Sequence, residues 1–381
     1  MKRLLPVWAA LLIAAAPVAA LWAPGTAVAA GAGVTFQETP SLAGRVAEGK
    51  LPPVEDRVPK VPSVVFMNAK DKTPGRHGGD MRLIMGKGRD VRLMTIYGYA
   101  RLVAYTTDLK LVADILERFE VKDGREFTLT LRPGHKWSDG HPFTAEDFRY
   151  YWQDMATNKK LSPLGPRKKL LVGEELPEFK VIDKRTVRYT WSRPNSFFLA
   201  GMAGAAPFFI YRPAHYMKRF HARYSDTAEL KKMAEKERLM DWSVLHQSKD
   251  RMYTLDNPEM PTLQPWMNTT KPPSQRFVFV RNPFFHRVDA AGRQLGAAEQ
   301  LSGLGAVDAA VKCLLIEQAL DEVQLFSEWR QRLKDLPQLH LRSLTLGPPL
   351  LRMEAVPGKQ AREAYGRLIC AVCGFLSSPD R

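Results

Sequence analysis

Three carboxylates, those of Asp139, Glu146 and Asp147, lie close enough in sequence to suggest acid–base chemistry. An acid–base pair needs two environments that hold the two pKa values apart. The neighbouring residues favour structural roles instead, because Asp139 lies in a Ser-Asp-Gly turn and Asp147 follows Thr144 by three residues, as in a helix-capping box. The sequence also lacks the usual motifs for nucleophilic catalysis and for nucleotide binding. We therefore predict no catalytic residue and no enzymatic activity.

Cys370 and Cys373 form a C-x-x-C pair, a spacing found in redox dithiols and in half of a zinc site. A redox dithiol needs the pair at the start of a helix that follows a strand, and zinc needs two further ligands. Neither context is visible around these cysteines. His215 and His221 are six residues apart, so they do not share a helix face as an i, i+4 pair would. We predict no metal and no cofactor, and an exported redox or metal protein is the weakest interpretation.

Residues 127–152, here called the hallmark segment, must position most of these side chains. Apolar and polar residues alternate through 127–132, which predicts a half-buried strand. Pro133-Gly134 and Ser138-Asp139-Gly140 are typical of turns, and Thr144 is a typical helix N-cap. The apolar residues that follow at helical spacing are Ala145, Phe148, Trp152 and Met155.

The order of these residues resembles the signature of the family 5 extracellular solute-binding proteins, the peptide- and nickel-binding components of ABC importers. The resemblance implies an α/β fold of the periplasmic-binding-protein type II class. It also implies a substrate-binding subunit that captures a peptide or similar solute by lobe closure and delivers it to an inner-membrane permease. Nothing in the sequence specifies nickel. The matching residues are Leu131, Arg132, Gly134, Lys136 to Gly140, Pro142 and Thr144 to Asp147.

The resemblance covers about residues 64–295, which we expect to form lobe I with its inserted hallmark subdomain. Family members continue with a second lobe, which is missing here. Residues 296–381 are an unmatched tail that differs in cysteine and charge content, so we favour a frameshift, with a genuine tail that caps lobe I as the alternative. The alternative function is accordingly a truncated lobe I product that binds no solute and has no transport activity.

The N-terminus predicts export to the periplasm of a double-membraned bacterium. Residues 1–30 read as a cleaved signal peptide, because Lys2 and Arg3 precede an apolar run and Ala27-Val28-Ala29 offers a small-x-small cleavage site. Prolines interrupt the apolar run, which makes it shorter than a membrane span requires. Residues 31–63 contain five prolines and little periodicity, so we predict a Pro-rich extended arm.

The formal net charge of +16 raises the question of nucleic acid binding. The basic residues are scattered among acidic ones and no nucleic-acid motif is present, so we predict a solvated basic surface and no nucleic acid partner. All of the excess charge precedes residue 296, since the tail carries ten basic and ten acidic residues. The expected partners are a small solute and a permease, and the expected state is a monomer.

The remaining patterns predict a mixed α/β chain. Alternation predicts strands at 180–182, 185–191 and 276–281, and a glycine-led strand at 78–84. Helical spacing is found from Leu109 to Phe119, although the corresponding family segment is irregular. We expect further helices at Thr227 to Met240 and in patches from Leu314 to Leu336.

The solute would lie against the loop after the first strand and the aromatic residues that follow it. Glycines let the backbone approach a ligand closely, and an arginine can pair with a carboxylate. The turn at Leu263 to Trp266 lies where the family has a Gly-Pro-Tyr turn, with Gln in place of Gly. Each candidate has an alternative interpretation as an ordinary loop residue or a core aromatic. The predicted ligand-binding residues are Gly86, Gly88, Arg89, Tyr97, Tyr99 and Trp266.

Overall fold

The computed structural model describes residues 35–66, 80–106 and 108–296, and the backbone of three further strands between residues 313 and 353. The predicted signal peptide and the C-x-x-C pair lie outside the described residues, so both stay predictions. The α-helices are α1 (Pro40–Ala47), α2 (Val54–Arg57), α3 (Leu93–Gly98), α4 (Ala145–Arg149), α5 (Phe198–Ala203), α6 (Ala214–Met217), α7 (Thr227–Lys236) and α8 (Trp242–Lys249).

Short 3₁₀ turns and a π-helix supplement these helices. The 3₁₀ turns span Gly88–Arg92, Lys168–Leu170 and Lys218–Phe220, and the π-helix Tyr150–Ala156 continues α4. The strands are β1 (Ser63–Val65), β2 (Asp80–Met85), β3 (Val103–Tyr105), β4 (Leu111–Ala113), β5 (Leu116–Lys122), β6 (Glu126–Leu131), β7 (Glu178–Asp183), β8 (Thr186–Thr190), β9 (Trp266–Asn268), β10 (Arg276–Arg281), β11 (Arg287–Asp289), β12 (Cys313–Gln318), β13 (Leu344–Gly347) and β14 (Leu350–Met353).

The hallmark segment folds as its sequence predicts. Its strand is β6, and its helix begins after Thr144, whose hydroxyl accepts a hydrogen bond from the Glu146 N–H while Asp147 completes the capping box. β6 lies inside an antiparallel sheet of order β5-β6-β8-β7, in which the predicted strands at 180–182 and 185–191 are also confirmed. Trp137 is fully buried in the core beneath this sheet, in T-shaped contact with Phe143.

A second sheet has the order β2-β12-β10-β9 and includes a strand from the tail. β12 pairs parallel with β2 and antiparallel with β10. The helix predicted from Leu314 is therefore wrong at Cys313–Gln318. A short, continuous apolar run such as Leu-Leu-Ile fits a buried strand as well as a helix, and only the neighbouring strands decide between them. One face of this sheet carries a core, here called the second core, formed by Met85, Val91, Met94, Leu255, Trp266, Phe277 and Phe279.

Two other predictions are corrected by the structure. The helical spacing from Leu109 to Phe119 belongs to the two strands β4 and β5, because β5 pairs along its length with β6 and this pairing overrides the local spacing. The extended arm predicted for residues 31–63 instead contains α1 and α2. A proline suits the first position of a helix, where no N–H is needed, so Pro40 begins α1 rather than preventing it.

A buried ionic cluster joins the hallmark subdomain to β11. Asp114 lies between β4 and β5, and its carboxylate accepts hydrogen bonds from His286 at 2.8 Å and from Arg287 at 2.8 and 2.6 Å. Burial opposes the charge on Asp114, but Arg287 and His286 outweigh it and hold the pKa of this carboxyl below its usual range. The segment after β10 is thereby fixed against the hallmark subdomain.

The predicted helix at 227–240 is confirmed as α7, which ends four residues earlier than expected. The predicted strand at 276–281 is confirmed as β10. Among the described residues, no helix combines the length and the apolar character that crossing a membrane would require.

Candidate functional site

The hallmark carboxylates are engaged in structural contacts. Asp147 is buried and accepts hydrogen bonds from the backbone N–H groups of Thr144 at 2.8 Å and Ala214 at 2.9 Å. Burial raises the pKa of Asp147 to about 7 against the effect of these donors. Glu146 pairs with Arg149 and Lys218, both at 2.6 Å. These contacts agree with the structural roles predicted from the sequence.

The predicted loop after the first strand follows β2 and runs into the 3₁₀ turn Gly88–Arg92. Arg89 is exposed, and both glycines are partly buried. Neither Gly86 nor Gly88 adopts a positive φ, so the backbone shape of this loop does not require glycine. The loop therefore presents two exposed cations, Lys87 and Arg89, and the role of its residues in ligand binding stays a prediction.

The two predicted tyrosines have different surroundings. Tyr97 is partly buried and packs against the second core. Tyr99 ends α3 with φ of 40°, and its hydroxyl donates to the Ala203 carbonyl at 2.8 Å and accepts from the Tyr105 N–H at 3.1 Å. The Tyr99 hydroxyl thus joins α3 to the end of α5 and to β3.

Trp266 is 1% exposed and belongs to the second core. Its indole Nε1 has no hydrogen-bond partner among the described residues. The second core therefore brings Trp266 and Tyr97 together, with the β2 loop adjoining through Met85. Contact between a solute and any of the six predicted residues stays a prediction.

A cleft that the sequence interpretation missed lies between three turns of the chain. It has a volume of about 450 Å³ and is bounded by residues 167–169, 206–209 with Arg212, and 250–254. Its floor includes the buried side chains of Phe208, Phe209 and Met252. The signal that could have indicated it is the Arg-Lys-Lys run at 167–169, which we interpreted as scattered surface charge.

The Phe208 ring occupies its place in the floor because residue 201 is a glycine. A Cβ at Gly201 would lie 1.7 Å from the Cζ atom of Phe208, far inside van der Waals contact. The ammonium of Lys169 lies 5.9 Å from the centre of the Phe208 ring, a cation–π distance. An aromatic floor is therefore combined with a cationic rim.

Around the cleft, positively charged side chains outnumber the carboxylates. The Arg212 Nε donates to Asp250 at 2.6 Å, and Arg251 forms two hydrogen bonds with Asp256 at 2.7 and 2.5 Å. Arg167, Lys168 and Lys169 are exposed and form no ion pair with any residue in the described part of the chain. The rim thus carries three uncompensated cations, all on one turn.

A smaller cavity of about 190 Å³ adjoins the cleft at Arg167, Arg212 and Asp250. It extends to Tyr151 on the π-helix and to His246 on α8. Burial lowers the pKa of His246 to about 4, so this ring is neutral near pH 7 and adds no charge. The Arg212–Asp250 pair therefore lines both cavities.

Hydrogen bonds connect the cleft to the predicted ligand-binding residues. The hydroxyl of Thr95 on α3 donates to the Tyr253 carbonyl at 2.9 Å, at the wall formed by residues 250–254. Arg101 donates to the carbonyls of Gly204 and Ala205, directly before the wall at 206–209. With the Tyr99 contact to Ala203, these bonds tie both walls to α3 and to the residues that follow it.

Among the described residues, no cluster of three His, Cys, Asp or Glu side chains could hold a metal ion. His141 and His215 stack at 3.8 Å, and His215 contacts Asp139 at 2.7 Å. This stack lies on the hallmark turns and packs beside Trp137.

Comparison with known proteins shows what this chain is similar to. Residues 110–297 match the profile of the bacterial extracellular solute-binding proteins, family 5. The periplasmic α-galactoside-binding protein of Rhizobium meliloti is 28% identical over 277 residues, which cover 67% of this chain and 37% of that protein.

Solved structures agree with this match. An oligopeptide-binding protein OppA superposes with a TM-score of 0.65 and 30% identity, covering 77% of this chain and 43% of that one. The periplasmic binding protein MelB of Agrobacterium fabrum C58, in complex with stachyose, has a TM-score of 0.55, 23% identity and the same kind of partial coverage, 75% and 41%. The MelB likeness concerns the fold alone. This chain spans less than half the length of these relatives.

Proposed function

We propose that this chain, whose residues 110–297 match the family model of the bacterial extracellular solute-binding proteins, family 5, is a periplasmic substrate-binding subunit of an ABC importer. It would supply lobe I, capture a peptide or similar solute, and deliver it to an inner-membrane permease. It would act as a monomer without a cofactor or catalytic residue. Export would depend on the signal peptide predicted at residues 1–30.

The observation that carries this proposal is the position of the cleft. Concave sites that combine an apolar floor with a few polar groups are typical of small-molecule binding. The cleft has this composition, and its walls are tied to α3, which lies between the predicted loop at Gly86 to Arg89 and Tyr99. In a two-lobed binding protein, a solute held on such a face would be enclosed when the lobes close.

The solute class follows from the relatives only in part. The named relatives include binding proteins for oligopeptides and for α-galactosides. We favour a peptide-like solute because the hallmark segment resembles that of peptide binders and because Arg89 could pair with a carboxylate.

The test is a thermal melt of the purified full chain against two panels, peptides of two to five residues and α-galactosides. A ligand that binds only the folded state stabilises it by about 2.7 kcal/mol at a hundredfold excess over Kd. We expect a member of the peptide panel to raise Tm, and Arg89→Gln to reduce that rise. The matched control is Arg82→Gln, an exposed arginine on β2, which should leave the rise unchanged. No shift with any solute would contradict the proposal.

That negative result would favour the second candidate, a truncated lobe I product that binds no solute. Resequencing the gene across codons 285–310 distinguishes a frameshifted tail from a genuine one. A single inserted or missing base that restores a long α/β reading frame would indicate a frameshift, and an unchanged frame would indicate a genuine tail.

A further inference from the structure

We propose that the cleft bounded by residues 167–169, 206–209 with Arg212, and 250–254 binds the anionic group of a solute, with the apolar part of that solute on Phe208 and Met252. This inference rests on the proposed solute-binding function and specifies its ligand class. It adds the residues that would recognise the charge, which lie outside the six positions predicted from the sequence.

The first argument is the charge on the rim. Arg167, Lys168 and Lys169 stand on consecutive positions around a 3₁₀ turn, and none of them has an acidic partner among the described residues. The two acidic groups nearby, Asp250 and Asp256, are each already bound to an arginine. An anion in the cleft would therefore meet three cations and little competition from carboxylates.

The second argument is the state of Arg212, which lines both cavities and is 5% exposed. Its Nε donates to Asp250, and its Nη1 donates to the carbonyls of Phe209 and Tyr211, both at 2.8 Å. These bonds fix the guanidinium plane. The remaining nitrogen, Nη2, forms no hydrogen bond with the described part of the chain. A fixed guanidinium with one unused N–H edge is suited to an oxyanion.

The third argument concerns the floor and the size of the cleft. Phe208 and Met252 are at most 5% exposed, so each presents only a small apolar edge to the space above it. Such a floor favours an organic anion over an inorganic one, because the apolar part of the ligand leaves water. A volume of about 450 Å³ is within the range of small-molecule sites.

The experiment is isothermal titration of the full chain with phenylacetate and with phenylacetamide, its neutral isostere. We expect phenylacetate to bind roughly tenfold or more tightly than the amide, and to weaken as NaCl rises from about 0.05 M to about 0.5 M, because exposed cations are screened by salt. The variant Arg167→Gln/Lys168→Gln/Lys169→Gln should lose most of this preference. The matched control, Lys231→Gln/Lys232→Gln/Lys236→Gln, removes the same charge from exposed positions of α7 and should keep it.

Three results would overturn the inference: equal affinity for the acid and the amide, equal losses in the rim and α7 variants, or no binding of phenylacetate. If any of these occurs while a neutral peptide or an α-galactoside still raises Tm, the solute-binding function stands and only the anionic ligand class fails. If no solute in either experiment binds, both fail together. Circular dichroism of each variant confirms that the chain is folded before titration.

Discussion

The hallmark segment and the cleft differ in how their polar groups are used. In the hallmark segment the buried carboxylate of Asp147 is held by two backbone N–H groups, and the rings around Trp137 fill the core. Around the cleft, three cations have no acidic partner among the described residues, and one nitrogen of Arg212 forms no hydrogen bond with them. The most recognisable stretch of sequence therefore builds the scaffold, whereas the polar groups that remain available lie in turns without a motif.

This difference makes a general point about binding lobes. A turn–helix junction must satisfy its own backbone donors, so its side chains are fixed by local geometry and leave a strong sequence pattern. A binding face has the opposite requirement, because its polar groups must remain available. Changes in the hallmark segment should therefore affect stability, and changes on the rim should affect binding.

The largest expected effect is that of Trp137→Ala. The ring is fully buried and contacts Phe143 and Tyr211, so its removal should destabilise the protein by about 3–5 kcal/mol. Urea unfolding followed by circular dichroism measures the change. Phe197→Ala is the control, since that ring is 68% exposed and its removal should cost less than about 0.5 kcal/mol. Equal losses in the two variants would show that Trp137 is not a core anchor.

The next effect is a pH dependence that originates in the hallmark segment. Burial raises the pKa of Asp147 to about 7, above its ordinary value of 3.8, so the folded state holds this proton more tightly than the unfolded state. The contribution of Asp147 to stability is then fully present below about pH 4 and falls as the pH rises towards 7, by as much as about 4 kcal/mol. Asp147→Asn should remove this slope from urea unfolding measured between those pH values.

Glu146, the preceding residue, is the matched control for the pH series. Burial opposes its charge, but hydrogen bonds from Arg149 and Lys218 outweigh burial and lower its pKa. Its contribution is therefore present above the unfolded pKa and is lost as the pH falls, the reverse of Asp147. If Asp147→Asn and Glu146→Gln changed the slope in the same direction, the assignment of Asp147 would be wrong.

A smaller effect is expected at the cleft floor from Gly201→Ala. The new Cβ would lie 1.7 Å from Phe208, so the ring must move, at a cost of about 1–3 kcal/mol. Gly44→Ala in α1 is the control, because no atom lies within 4 Å of its Cβ position and alanine favours a helix. Urea unfolding should show opposite signs for the two variants. A neutral Gly201→Ala would mean that Phe208 can move without cost.

The smallest effect on stability is expected from Arg167→Gln/Lys168→Gln/Lys169→Gln. These side chains are exposed and make no ion pair with the described residues, so unfolding should change by less than about 0.5 kcal/mol. A loss comparable to that of Trp137→Ala would show that the rim is structural and would remove the contrast between the two regions. Chemical unfolding at low and high salt measures it.

Much of the local structure could be predicted from the sequence because short-range rules determine it. Alternation in 127–132, the Thr144 and Asp147 spacing and the Ser-Asp-Gly turn all depend on residues a few positions apart, and each appears in the structure as predicted. The helical pattern from Leu109 to Phe119 was misleading for the opposite reason. Its apolar residues fit a helix locally, and only pairing with β6 makes them strands.

The sequence by itself determined the hallmark segment, the strands around it and the match to a solute-binding family. Only the tertiary structure decided that Trp266 is in a core, that β12 enters the sheet between β2 and β10, and that Arg212 reaches the same space as Lys169. A cleft is made by turns that are distant along the chain, so no local pattern records it. The available charges of this protein are therefore visible only once the chain has folded.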